Sequence, residues 1–107
     1  MAGDPESRRL ILQRKLVDIL GSSNVYFQPP NKTSLKYPCF IYRRESTKIL
    51  RADNKAYLKS PRYTLTYVTK NPDDPIIDRV LDEFEHIEHD RFFVQDNLNQ
   101  HTYTLYF

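Results

Sequence analysis

Val25-Tyr26-Phe27-Gln28-Pro29-Pro30, followed by a polar loop and then Lys36-Tyr37-Pro38-Cys39-Phe40-Ile41-Tyr42, is the stretch whose reading decides the fold. Aromatic and β-branched residues mark both apolar runs as strands. Two prolines stop the first, because each lacks the N–H a sheet ladder needs and fixes its own φ. Pro38 sits where the second begins, a position at which a strand tolerates proline.

Outward from this pair, Asp4-Pro5 gives an N-cap carboxylate followed by proline at the first helical position. At 100° per residue Leu10, Leu12, Leu16, Val17, Ile19 and Leu20 fall in one half of a wheel, with Arg9 and Gln13 intruding and Ile11 outside it. Gly21 is the expected C′ stop. The spacing predicts a helix over residues 5–20 and strands over 24–28 and 39–45, the second turning charged at Arg43-Arg44-Glu45. A third strand is expected over 62–70, with Tyr63, Leu65 and Tyr67 on one face and Thr64 and Thr66 on the other.

Residues 46–61 are too polar for core and too long for a compact turn, so they read as a long hairpin arm. Asp74-Pro75 repeats the helix-start signal. Ile76, Ile77, Val80, Leu81, Phe84 and Ile87 then share a 140° arc, which predicts a helix running to Ile87 with Val80, Leu81 and Phe84 on the sheet. Strands over 91–95 and 102–107, joined by the polar Asp96-Asn97-Leu98-Asn99, read as a hairpin. The expected fold is α+β: a mixed or antiparallel sheet of four to five strands with two helices on one face, in the order α-β-β-β-α-β-β. All 107 residues form one domain.

Composition narrows the chemistry. A net charge of +2 with 28% charged residues is mild for a dedicated nucleic-acid binder. Cys39 is the single cysteine, so it forms no internal disulfide, and within an apolar strand it reads as a buried, inert thiol. No signal peptide and no bilayer-spanning run are seen, which implies a soluble chain made in the cytoplasm with no membrane partner. Gly3 and Gly21 are the only glycines, too few for a phosphate-cradling loop, and no nucleophile elbow or His-Glu-x-x-His run occurs. His86 and His89 are spaced as i, i+3 ligands on a helix, but His101 and Cys39 do not complete a set. No catalytic residue, cofactor or metal is expected, and the chain does not read as an enzyme.

Together with Arg51-Ala52-Asp53-Asn54-Lys55-Ala56-Tyr57 and Asp96-Asn97-Leu98-Asn99 before Tyr103-Thr104-Leu105-Tyr106-Phe107, the opening strands resemble a family of small tailed-bacteriophage proteins. These are tail terminators, or tail completion and head–tail joining subunits. The resemblance spans about residues 25–107. It implies an α/β subunit of the virion neck or tail end, assembled as a homohexameric ring that ends the tail tube and joins tail to head. The implied partners are further copies of the chain, the tail tube protein and a head-side connector or stopper, with genomic DNA passing through the lumen without specific binding. A stopper or tail-tube subunit is the alternative within the virion, and a small nucleic-acid-binding adaptor the alternative outside it. Lys48, Ile49, Leu50, Arg51 and Lys55 of the arm are the candidate contact residues. Their cations suit an acidic neighbour, and Ile49-Leu50 offers an apolar anchor. Basic residues interleaved with Tyr57 and Tyr63 also suit a single-stranded nucleic acid.

Overall fold

The computed structural model describes residues 8–30, 34–45, 50–52, 55–58 and 61–107, with the backbone alone at 50–52 and 55–58. Its elements are α1 (Arg8–Leu20), β1 (Val25–Phe27), β2 (Cys39–Arg44), β3 (Leu50–Ala52), β4 (Lys55–Leu58), β5 (Arg62–Thr69), α2 (Ile76–Glu83), β6 (Ile87–Gln95) and β7 (Leu98–Tyr106). The main sheet has the order β1-β2-β5-β7-β6, while β3 and β4 pair as a separate two-stranded sheet. β1 runs parallel to β2 and every other neighbouring pair is antiparallel, so the main sheet is mixed as expected.

α1 buries Leu12, Leu16 and Ile19, spaced four and three apart. Leu10 is 41% exposed, because it lies about 150° around the wheel from the centre of that trio. The intruding polar residues have structural work instead. The Tyr42 hydroxyl donates to Gln13 Oε1 at 2.6 Å, Gln13 Nε2 donates to the Val25 carbonyl, and the Arg9 guanidinium lies over the Phe27 ring. Gly21 stops the helix at φ 77°, a conformation that penalises a Cβ, and its N–H donates to the Val17 carbonyl. The Asp4-Pro5 start falls outside the described residues.

The second helix is shorter than its apolar arc implies. It ends at Glu83, Phe84 turns extended (φ −121°, ψ 141°), and Ile87 is the first residue of β6. Ile87 keeps the apolar pattern because it pairs with Leu105 on the helix-covered face, so a strand residue mimics the next helical position. For the same reason β6 and β7 are nine residues each, longer than the strands expected over 91–95 and 102–107. Asp96 and Asn97 alone form the turn, both at positive φ (56° and 63°), the type I′ geometry that matches strand twist.

One face of the sheet holds Phe40, Tyr42, Tyr63, Leu65, Tyr67, Tyr103 and Leu105 against Leu12, Leu16 and Val80. The other pairs Thr64 with Thr104 and Thr66 with Thr102, all half-buried, and buries Cys39 opposite Val68. Phe84, 8% exposed, plugs the end of α2 and meets the Phe107 ring edge-on. Phe84→Ala should therefore lower stability by about 3 kcal/mol, the low end for a buried phenylalanine because the site lies at the rim. Chemical denaturation measures it, and an unchanged midpoint would show that Phe84 is not part of the core.

Candidate assembly surfaces and a histidine pair

The arm residues singled out from the sequence fall at the β3–β4 pair. Leu50 and Arg51 belong to β3 and Lys55 to β4, with Arg51 opposite Ala56 and Ala52 opposite Lys55. Lys48 and Ile49 lie outside the described residues, as does part of the expected long arm.

The two edges of the main sheet differ. β1 has three residues, is followed by Pro29-Pro30, and has its Val25 carbonyl occupied by Gln13. Such an edge is closed to further pairing. β6 ends the sheet on the other side with nine residues and no proline. Its first half carries Glu88, Asp90 and Arg91 and an irregular register between His89 and Arg91, features that guard an edge strand. Asp90 accepts a hydrogen bond from the Thr104 hydroxyl across this bulge. Its second half, Phe92-Phe93-Val94-Gln95, has no charge, proline or bulge of its own, although the Arg91 guanidinium lies over the Phe93 ring, and Phe92 and Val94 are 52% and 58% exposed.

Charge follows the same division, a signal legible in the sequence but hidden by the small net value. Residues 1–70 hold fourteen of the sixteen Lys and Arg but five of the fourteen Asp and Glu, a side-chain balance of +9. Residues 71–107, which form α2, β6 and β7, hold two and nine, a balance of −7. Gln28, Pro29, Arg43 and Arg44 line a shallow notch at the β1–β2 side. The division is one along the chain: Arg43 and Arg44 stand on β2 and Glu88, Asp90 and Arg91 on β6, while Arg8 and Lys15 of α1 line one pocket with Glu83 and Glu85.

His86 and His89 are not helical ligands, because the chain has left α2 before either. His89 instead faces His101 across the β6–β7 hairpin, with Nε2 3.0 Å from the partner's Nδ1. The Phe92 ring lies against His101 and the Tyr103 ring against His89. One imidazole must donate and the other accept, so the contact holds at most one shared proton between the rings. His101 is 7% exposed, and its Nε2 is buried with no hydrogen-bond partner. Burial, then the adjacent His89, lower the His101 pKa, while the carboxylates of Asp74 and Asp78 act in the opposite sense. Among the described residues no group of three His, Cys, Asp or Glu side chains could hold a metal ion. Cys39 is fully buried, and desolvation raises its thiol pKa to about 11, so it stays protonated and unreactive. No helix among the described residues is long and apolar enough to cross a membrane.

Comparison with known proteins adds nothing further: no family model, curated protein or solved structure matches this chain.

Buried His101 gives a pH dependence with a definite sign. His101 binds its proton less readily folded than unfolded, so the unfolded chain holds more protons below its ordinary pKa of 6.5. The stabilising contribution is complete above that pH and is lost as pH falls through the lower folded value. Thermal melts from pH 7.5 to 5 should show a falling midpoint, and His101→Phe should flatten that slope. An equal slope in the variant would remove His101 as its source.

Proposed function

We propose that this chain is a structural subunit of a tailed-phage neck or tail end. In this reading it forms a homohexameric ring that terminates the tail tube and joins it to the head-side connector. The reading rests on the resemblance of the strand and loop stretches described above. The observation that carries it further is the uneven charge of the chain, +9 over residues 1–70 and −7 over residues 71–107, together with a nine-residue strand, β6, that ends the sheet with no further partner among the described residues. A subunit whose two sides differ and complement each other associates head to tail, and a head-to-tail contact with the right rotation closes a ring. A subunit of this size also gains from association, since a domain of about 100 residues buries only about two-thirds of its unfolded surface.

The role assigned is mechanical. The chain supplies no reaction; it supplies a rigid sheet, two helices fixed on one face of it, and surfaces for a neighbour. The basic arm would meet acidic surface on another copy, the tube or the connector, and Ile49 and Leu50 would anchor it. The virion is then the place of action, with synthesis in the host cytoplasm.

Particles made without this chain distinguish the positions within a virion. Overlong tails would mark a terminator, full heads apart from finished tails a joining subunit, and missing tubes a tube subunit. Replacing Lys48, Arg51 and Lys55 together with serine should abolish head–tail joining while leaving the melting midpoint unchanged. The same outcome is expected when Ile49 and Leu50 are changed to serine. Normal infectious particles from both variants would take the arm out of the mechanism. Salt-sensitive, sequence-independent DNA binding lost in the triple serine variant would favour the adaptor reading instead.

A further inference from the structure

We infer that the second half of β6, Phe92-Phe93-Val94-Gln95, receives the β3–β4 hairpin of a second copy as added strands. This rests on the ring reading above and names the surfaces that make its contact.

The first observation concerns the acceptor. β6 is the last strand of the main sheet, and its residues 92–95 present backbone N–H and C=O groups outward with no proline, charge or bulge among them. Phe92 and Val94 stand half-exposed on the helix-side face. An edge of this kind is a template for another strand, and strand addition takes affinity from the main chain and specificity from alternate side chains.

The second concerns the occupant. β3 and β4 form a sheet of only two strands, separate from the main sheet of their own chain. Two strands alone are marginal in water, and a third is what makes such a unit stable. The segment around them carries Lys48, Arg51, Lys55 and Lys59 against a single Asp53. The β6 side carries Glu88 and Asp90 on the strand, Asp96 in its turn, and Asp78 and Asp82 on α2, all exposed, against the two exposed cations Arg91 and Arg79. Opposite charges across neighbouring strands stabilise a pairing and fix which partner is accepted.

Self-pairing of β6 is disfavoured by the same reasoning. An antiparallel pair centred on Phe93 sets Asp90 level with Asp96 of the other copy, and it brings two halves of balance −7 together. Like charges directly opposite destabilise a pair. The contact is therefore between unlike surfaces, hairpin to edge, and each copy has both.

Disulfide trapping between full-length chains tests this, because neighbouring strands lie about 4.8 Å apart, within the Cα separation a disulfide spans. A Val94→Cys chain is mixed with chains carrying Leu50→Cys, Lys55→Cys or Leu58→Cys and mildly oxidised; native Cys39 is fully buried and serves as the silent background. The expected result is a species of twice the mass in at least one mixture and none from Val94→Cys alone, with a yield that falls several-fold as salt is raised. A Val94→Cys homodimer, or no mixed product in any of the three mixtures, overturns the assignment. Native mass and electron microscopy of the unmodified protein in assembled particles test the ring independently. A closed ring without the mixed disulfide removes this contact and leaves the ring. A mixed disulfide in open chains of growing length keeps the contact and removes the closure.

Discussion

Buried tyrosine hydroxyls are the constraint on which the rest of the structure depends. Tyr42, Tyr67 and Tyr103 are at most 1% exposed, so each brings a polar atom into an otherwise apolar layer. A buried hydroxyl without a partner costs about 1–3 kcal/mol, and each of these finds its partner on, or at the start of, a helix. Tyr42 donates to Gln13 of α1, Tyr67 to Asp74 just before α2 at 2.6 Å, and Tyr103 to the Ile77 carbonyl of α2 at 3.1 Å. Apolar packing alone would let a helix slide along the sheet with little penalty. Three directional bonds set the helices in register with the strands.

Asp74 carries the densest part of this scheme. One carboxylate oxygen accepts from Tyr67 and from the Thr69 hydroxyl, and the other accepts from the Ile76 N–H. Pro75 is already helical (φ −64°, ψ −17°), so Asp74 does the capping, and it joins the end of β5 to the start of α2 in a single side chain. The Arg79 guanidinium donates to the Ile19 carbonyl at the far end of α1, so the two helices also hold one another. With both helices committed to one face, the opposite face keeps Thr64, Thr66, Thr102 and Thr104 half-buried and Cys39 and Val68 buried.

The helices occupy the aromatic face and α1 closes the β1 edge through Gln13, so among the described residues the edge strand left without a further partner is β6. The basic stretch and the β3–β4 hairpin come from the preceding part of the chain. A near-neutral total thus conceals two stretches of opposite sign, residues 1–70 and 71–107.

Much of the fold was legible in the residues: the alternation Tyr63-Leu65-Tyr67, the Asp74-Pro75 cap, Gly21 as a stop, and the Leu12-Leu16-Ile19 stripe are local, and local geometry alone assigns them. Helical and strand periods coincide at Ile87, so periodicity over-extended α2; the chain turns earlier because Phe84 caps the core in an extended conformation. The wheel placed Leu10 at the edge of the apolar half, and only the sheet's position showed that edge to be exposed. The arm cations could be named from sequence, whereas the acceptor edge could not, since strand order decides which strand is last. The sequence by itself determined the elements, their order and the uneven distribution of charge, all properties of neighbouring residues or of simple counting. The tertiary structure alone decided that His89 meets His101 twelve residues away, and that β1 is closed while β6 ends the sheet with no further partner among the described residues. Those depend on long-range pairing, which no local period encodes.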